Sequence, residues 1–486
     1  MDRRFFLHGL LATAAGPAFA EGPIRSWRPR MRPEGAVSGA VPNAQDLVRE
    51  SKLSGHTSLV FSDVKSGRIL ASSSPLRALP PASVAKTLTA LYGFERLGPG
   101  FRFQTQLGYT GTLTNGRLEG DLVLVGGGDP TLTTDDLAYL AAQAKAAGLR
   151  EITGRLLVWG GRLPASDVID ASQPDHVGYN PAVSGMNLNF NRVHFEWRTA
   201  QSGYEISLQA RTERYRPGVG TIDMAVVDRP SPVFVYRGTP KTEQWSVARG
   251  ALGNGGGRWL PVRVPVAYAA DVMTTLLRSH GIVANGYGEV TSLPAVHVLS
   301  SVQSRTLEEI CTDMLKYSTN LTAECVGLMA SGASSLRQSA KAMSTWVEQE
   351  FGARHVNLVD HSGLGDASRV AARDVVRVLA SDKAQRALRP ILKPFKLRDG
   401  LDEAEPFDVK AKTGTLNFVS GLAGYAAAPG RSDASVAFAI FSADMPTRRG
   451  LLKAERESPP GGRAWSRRAR VLQSRLIRQF GVAQGE

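Results

Sequence analysis

Three short strings, in this order along the chain, bring together the residue types of a serine acyl-transfer site: Ser83-Val84-Ala85-Lys86, Ser318-Thr319-Asn320 and Lys412-Thr413-Gly414. A serine hydroxyl is a weak nucleophile at neutral pH and needs a base within hydrogen-bond reach. Lys86 meets that need if desolvation, or a second cation such as Lys412, depresses its pKa. Ser318 would then pass the proton to a departing amine, and Asn320 would offer its amide to a substrate backbone. Lys412 and Thr413 present a cation and a hydroxyl to a terminal carboxylate. Gly414 leaves room for an extended substrate beside its strand. The backbone N–H groups of Ser83 and Thr415 would make an oxyanion site.

The first string is not specific by itself, because Ser62-Asp63-Val64-Lys65 repeats it. What separates the two is the element each lies on. Residues 58–71 read as a hairpin, turning at Lys65-Ser66-Gly67. Residues three apart on a strand point to opposite faces, so Ser62 and Lys65 would not meet. Ser83 follows Pro80-Pro81-Ala82 and opens a helical pattern over 83–98 with Val84, Leu88, Leu91, Tyr92 and Phe94. At i and i+3 on a helix, Ser83 and Lys86 share a face. A helix N-terminus also supplies unpaired N–H groups for an oxyanion.

With these motifs in order, the chain resembles the penicillin-binding proteins of low molecular mass, the serine D-alanyl-D-alanine peptidases, and within them the class C carboxypeptidase/endopeptidase branch. The two motif serines stand 235 positions apart, which matches a branch that inserts extra domains between them. Also similar are Val125-Gly-Gly-Gly-Asp-Pro-Thr-Leu132, Asn187-Leu-Asn-Phe-Asn191, Ser362-Gly-Leu and Arg369-Val-Ala-Ala-Arg-Asp. The resemblance spans about residues 40 to 480. It implies a Ser83 acyl-enzyme formed on peptidoglycan stem peptides, with β-lactam antibiotics as acylating inhibitors and no cofactor. Two positions depart from the pattern. The family arginine thought to hold the free carboxylate of a diaminopimelate side chain falls on Asp366, and an aspartate for that side chain's amine falls near Trp159-Gly160-Gly161. These changes bear on side-chain specificity and leave the acylation residues intact. A serine β-lactamase is the alternative enzyme, without support from a Glu-x-x-Leu-Asn type string. A catalytically weak peptidoglycan-binding scaffold is the non-enzymatic alternative.

The elements that must position these residues form an α+β fold. The expected core is a penicillin-binding, serine β-lactamase-like domain, whose five-stranded antiparallel sheet combines the 58–71 hairpin with strands at 408–415, 422–427 and 435–442. Catalytic residues are expected within 41–98 and 292–482. An inserted domain spans 99–184 and 263–291, with strands at 101–113, 116–125 and 155–158 and helices at 134–147 and 269–280. A second, β-rich insertion is nested at 185–262, where Gly253-Asn254-Gly255-Gly256-Gly257 reads as an exposed loop. Helical stretches at 307–329, broken at Ser318–Asn320, and at 335–352 complete the pattern, with an amphipathic helix near the end.

Residues 1–20 carry Arg3-Arg4-Phe5-Phe6-Leu7, an apolar stretch and Ala18-Phe19-Ala20, a signal-peptide pattern. The paired arginines resemble a twin-arginine export signal and place the protein in the periplasm; a plain secretory signal is the other reading. Residues 21–40 form a basic, proline-rich leader. The net charge of +14 becomes +13 without residues 1–20. That surplus favours loose attraction to anionic wall or membrane surfaces, while no nucleic-acid motif accompanies it. Cys311 and Cys325 read as two buried free thiols, though a helix break between them leaves a bond geometrically open. With no CxxC, no HExxH and scattered histidines, no metal site is expected. Gly126-Gly127-Gly128 fits no nucleotide-binding pattern and reads as a tight strand exit.

Overall fold

The structure, a computed structural model, describes residues 43–397, 408–428 and 435–481. The expected signal peptide (1–20) and basic leader (21–40) lie outside these residues.

Strand β1 (His56–Asp63) and strand β2 (Ile69–Ser73) pair antiparallel as the expected hairpin. Its turn is closed by Asp63, whose Oδ1 accepts from the Ser66 N–H and hydroxyl, both at 2.7 Å. Strands β3 (Asp408–Leu416), β4 (Val419–Ala427) and β5 (Ser435–Ala443) complete the sheet. The order is β3-β4-β5-β1-β2, antiparallel throughout. Every residue of β4 and β5 is buried, because both faces of the sheet are covered. On one face Leu472, Leu476 and Ile477 of the C-terminal helix Gly462–Phe480 pack against Leu59, Phe61, Phe438 and Ile440. Arg463, Arg467, Arg468 and Arg470 of that helix stay exposed. On the other face lies helix α1 (Ala85–Leu97), apolar and buried over most of its surface, as a central helix must be. Around it pack α2 (Leu307–Tyr317), α3 (Asn320–Ser331) and α4 (Leu336–Phe351).

A second five-stranded sheet runs Tyr287–Val290, Leu156–Trp159, Leu122–Val125, Gln104–Tyr109, His297–Gln303. The last strand pairs with Gln104–Tyr109, although a boundary at residue 292 assigns it to the catalytic part. The expected long strands 101–113 and 116–125 each break in two. Gly111 and Gly120 have positive φ, and a Cβ on either would come within 2.1 Å of a carbonyl on the other arm. There the tip, Thr112–Thr114 with Arg117–Glu119, leaves for a separate small sheet. Residues 192–261 hold two three-stranded sheets. Their buried Val193, Phe195, Val247 and Leu260 join the same apolar cluster as Leu107, Leu124 and Leu156.

One loop expectation is corrected. Gly255–Pro261 is a strand, with Gly255, Gly256 and Gly257 paired to Arg198, Trp197 and Glu196. A Cβ on Gly256 would lie 2.7 Å from the Trp197 indole, so the glycines make room for cross-strand rings. No helix among the described residues is long and apolar enough to cross a membrane.

Candidate active site

Ser83 sits in a single tight helical turn, Ala82–Val84, that runs into α1. The turn rests on the sheet at Gly414 of β3 and its cross-strand partner Gly421 of β4. A Cβ on Gly414 would stand 2.7 Å from the Pro81 carbonyl oxygen and 2.9 Å from the Ser83 nitrogen; one on Gly421 would stand 2.8 Å from that same oxygen. The glycine of the third motif is therefore demanded by the serine turn itself, a reason that the sequence reading assigned to the substrate. One helical turn on, Lys86 is fully buried. Its Nζ donates to Ser83 Oγ at 2.9 Å, Asn320 Oδ1 at 2.7 Å and the Ser362 carbonyl at 2.8 Å.

Burial is the main force on this lysine and lowers its pKa to about 7; Glu324 and Asp360 oppose it by Coulomb attraction. Both carboxylates are buried beneath the site. Glu324 accepts the N–H groups of His361 (3.0 Å) and Ser362 (2.9 Å), and Asp360 those of Gly363 and Gly365 (both 2.6 Å). Desolvation, with the repulsion of Asp360, pushes Glu324 up to about 8, and desolvation pushes Asp360 up to about 6. Asp360 thus holds the peptide unit whose carbonyl receives Lys86, through its Gly363 N–H, while the N–H of Ser362 itself is held by Glu324. The sequence reading missed it, although it stands four residues after Asn320 on the same helix face.

Ser318 ends α2 in the left-handed conformation (φ 61°), which turns its side chain away from the helix run. Lys412 Nζ donates to Ser318 Oγ at 3.0 Å and to the Thr413 carbonyl at 2.7 Å. Lys412 is 1 % exposed; desolvation, then Lys86 and Lys393, hold its pKa well below the ordinary value. The three motifs therefore converge through hydrogen bonds between their own side chains. Asn320 is engaged at both ends, since its Nδ2 donates to the Tyr179 carbonyl at 2.8 Å. The amide nitrogen carries a second hydrogen, which a substrate carbonyl could accept. Thr413 and Thr415 lie on β3, the edge strand of the sheet, where alternate backbone groups are free of a neighbour.

The repeated string behaves otherwise. Ser62 is buried in β1 with its hydroxyl on the Arg68 carbonyl (3.3 Å), while Lys65 is exposed in the turn.

Ser83, Ser318, Asn320 and Thr415 line a cleft of about 290 Å³. Its remaining wall includes residues the sequence did not mark: Gln173, Tyr179, Asn417, Arg448, Arg456 and Glu457. Tyr179 belongs to a loop pinned by Asn191, whose Nδ2 donates to the Ala182 carbonyl at 2.9 Å. Asp366, in place of the family arginine, accepts from Arg448 Nε at 2.8 Å. Cys311 and Cys325 are buried free thiols. Among the described residues no group of three or more His, Cys, Asp or Glu is placed to hold a metal.

Comparison with known proteins follows the same lines. Residues 42–454 match the D-Ala-D-Ala carboxypeptidase 3 (S13) family. The chain is 26 % identical over 452 residues to a D-alanyl-D-alanine carboxypeptidase of Actinomadura sp., covering 82 % of this chain and 79 % of the other. It is 24 % identical over 418 residues to the D-alanyl-D-alanine carboxypeptidase DacB of Haemophilus influenzae, covering 79 % and 85 %. Among solved structures, penicillin binding protein 4 from Haemophilus influenzae superposes with a TM-score of 0.72 at 22 % identity, over 90 % of this chain and 99 % of that one. The fold is thus the α+β penicillin-binding fold with added β-rich parts, and the match extends over both sheets and all three motifs. The chain belongs to the D-Ala-D-Ala carboxypeptidase 3 (S13) family.

Proposed function

We propose that this chain is a serine D-Ala-D-Ala carboxypeptidase and endopeptidase of peptidoglycan stem peptides, working through a Ser83 acyl-enzyme that β-lactams also form. The observation that carries this reading is the 2.9 Å contact of Ser83 Oγ with a fully buried Lys86 whose pKa is lowered to about 7. A lysine so placed is largely neutral just above pH 7 and takes the serine proton as the oxygen attacks the scissile carbonyl. The developing oxyanion would lie against the N–H groups of Ser83 and Thr415. Asn320, bonded to Nζ, orients the lysine. The leaving amine departs as the C–N bond breaks and takes the proton that Lys86 accepted, relayed through Ser318, which Lys412 Nζ contacts at 3.0 Å, so that Lys86 is neutral again. Lys412 and Thr413 face the carboxylate of the leaving residue. Water then attacks the ester, giving its proton to Lys86 and returning Ser83 to its hydroxyl.

In this proposal residues 1–20 are a signal peptide of the twin-arginine type and the enzyme works in the periplasm. The +13 charge of the remaining chain supports loose attraction to anionic wall or membrane surfaces. The domain division is the one read from the sequence, with the return to the catalytic domain moved from residue 292 to about 304, since His297–Gln303 pairs in the second sheet. The test is release of free D-alanine from a pentapeptide ending in D-Ala-D-Ala, and of monomers from a cross-linked dimer. Cleavage that disappears in Ser83→Ala is expected. Rapid turnover of penicillin with neither peptide cleaved would replace the peptidase with a β-lactamase.

A further inference from the structure

Apart from the catalytic cleft lies a cavity of about 680 Å³, and the two share no lining residue. Thr319 lines this cavity while Ser318 and Asn320 line the cleft, so the second motif is the partition between them. The other walls come from helix α2, the strand His297–Gln303 and the start of the helix Thr134–Ala146. Two stretches that the reaction leaves unused meet here: Asp129 and Thr131 of Val125–Leu132, and Phe190 of Asn187–Asn191. Phe190 holds a left-handed backbone (φ 58°), a costly conformation for a bulky residue.

Asp129 is 6 % exposed. Its Oδ1 accepts from the Thr131 N–H and hydroxyl, both at 2.7 Å, and among the described residues no donor meets Oδ2. Arg305, on the same wall, is bound instead to Asp313 at 2.6 Å. Arg192 is the complementary case. Its guanidinium carbon lies 5.2 Å from the Phe190 ring centre and 5.5 Å from that of Trp259. Its Nε is enclosed, Nη1 and Nη2 are the donors left to the cavity, and among the described residues no acceptor meets any of the three. Burial pushes the Asp129 carboxyl up and the Arg192 guanidinium down from their ordinary pKa values, the direction for charges short of a counter-ion. Val302, Ile310 and Met314 add apolar surface to the lining.

A lone anion would satisfy Arg192 and leave Asp129 bare, and a lone amine would do the reverse. We propose that this cavity binds a short zwitterionic peptide, its amino group on Asp129 and its carboxylate on Arg192, with small apolar side chains against Ile310 and Met314. Its volume is that of an ordinary ligand site, roughly 300–1,000 Å³. The site goes beyond the Ser83 reaction and does not depend on it.

The test is calorimetric titration of the protein with all-L and all-D trialanine, before and after incubation with benzylpenicillin. At least one of the two should bind, and the antibiotic should leave that binding in place. The N-acetyl form and the C-terminal amide of the bound peptide should each bind about tenfold to a hundredfold more weakly, the range of a charge-assisted hydrogen bond. Asp129→Asn should remove the difference between free and acetylated amine, and Arg192→Gln the difference between acid and amide. A merely structural role for either residue would weaken all the peptides alike and keep those differences. Failure of both tripeptides to bind the unmodified protein, binding indifferent to acetylation and amidation, or binding abolished by benzylpenicillin overturns the site. If no penicilloyl adduct forms, the peptidase reading fails, and the two variants still locate the peptide in this cavity or show that it lies elsewhere.

Discussion

Ser62-Asp63-Val64-Lys65 and Ser83-Val84-Ala85-Lys86 spell the same pattern in two environments. In the first, a strand sends the serine inward to the Arg68 carbonyl and the turn leaves the lysine in water. In the second, a helical turn puts both side chains on one face and the surrounding helices bury the lysine completely. Lys65 stands in water, whereas burial, against the pull of Glu324 and Asp360, lowers the pKa of Lys86 to about 7 and suits it to act as a base near neutrality. Chemistry here belongs to the element and its burial; the letters alone do not carry it.

The comparison can be broken hardest at the lysines. Lys86→Met should slow acylation by penicillin about a hundredfold to ten-thousandfold, the usual worth of a positioned base, and Lys65→Met should leave the rate unchanged. Stopped-flow acylation of both variants measures this. The glycines come next. Gly414→Ala forces a methyl against the Pro81 carbonyl and the Ser83 nitrogen, so it should cost about 1–3 kcal/mol of stability and most of the acylation rate. Gly67→Ala, at φ 70° in open space within the other hairpin, should cost about 1–2 kcal/mol from backbone conformation alone and spare acylation. Denaturant titration beside the acylation assay separates the two.

A smaller effect sharpens the electrostatics. Because Lys86 titrates at about 7, its neutral form and the acylation rate should rise as pH increases through that value. Asp360 raises that pKa and, held at about 6, is charged where Lys86 titrates, so Asp360→Asn should move the rise to lower pH. A rate profile that moves upward, or stays in place, would remove the carboxylate from the proton economy. Smallest of all, Ser62→Ala should change unfolding free energy by no more than about 1 kcal/mol, the net worth of one hydroxyl bond, with acylation untouched.

The motifs were legible because each lies on a local signal: proline before a helix, a helix break at Ser318, a strand rich in alternating apolar residues. The five-stranded sheet followed from the hairpin and three late strands. Glu324 had a signal, its helical spacing from Asn320, but an acidic residue on an apolar helix betrays its role only when a neighbouring loop brings N–H groups to it. Arg448 and Arg456 had none, since they reach the cleft by the tertiary course of the segment after β5. Gly255–Gly257 misled for a related reason: glycines that read as a loop serve as a strand when Trp197 fills the space above them. Likewise His297–Gln303 follows the apparent return to the catalytic part, yet pairs back into the second sheet.

The central claim, that Ser83 and not Ser62 is the nucleophile, is tested most directly by intact mass. The protein lacking residues 1–20, and its Ser83→Ala and Ser62→Ala variants, would be weighed after brief incubation with benzylpenicillin. A covalent adduct on the unmodified protein and on Ser62→Ala, absent from Ser83→Ala, is the predicted result. An adduct that persists in Ser83→Ala, or none on any of the three, would contradict it.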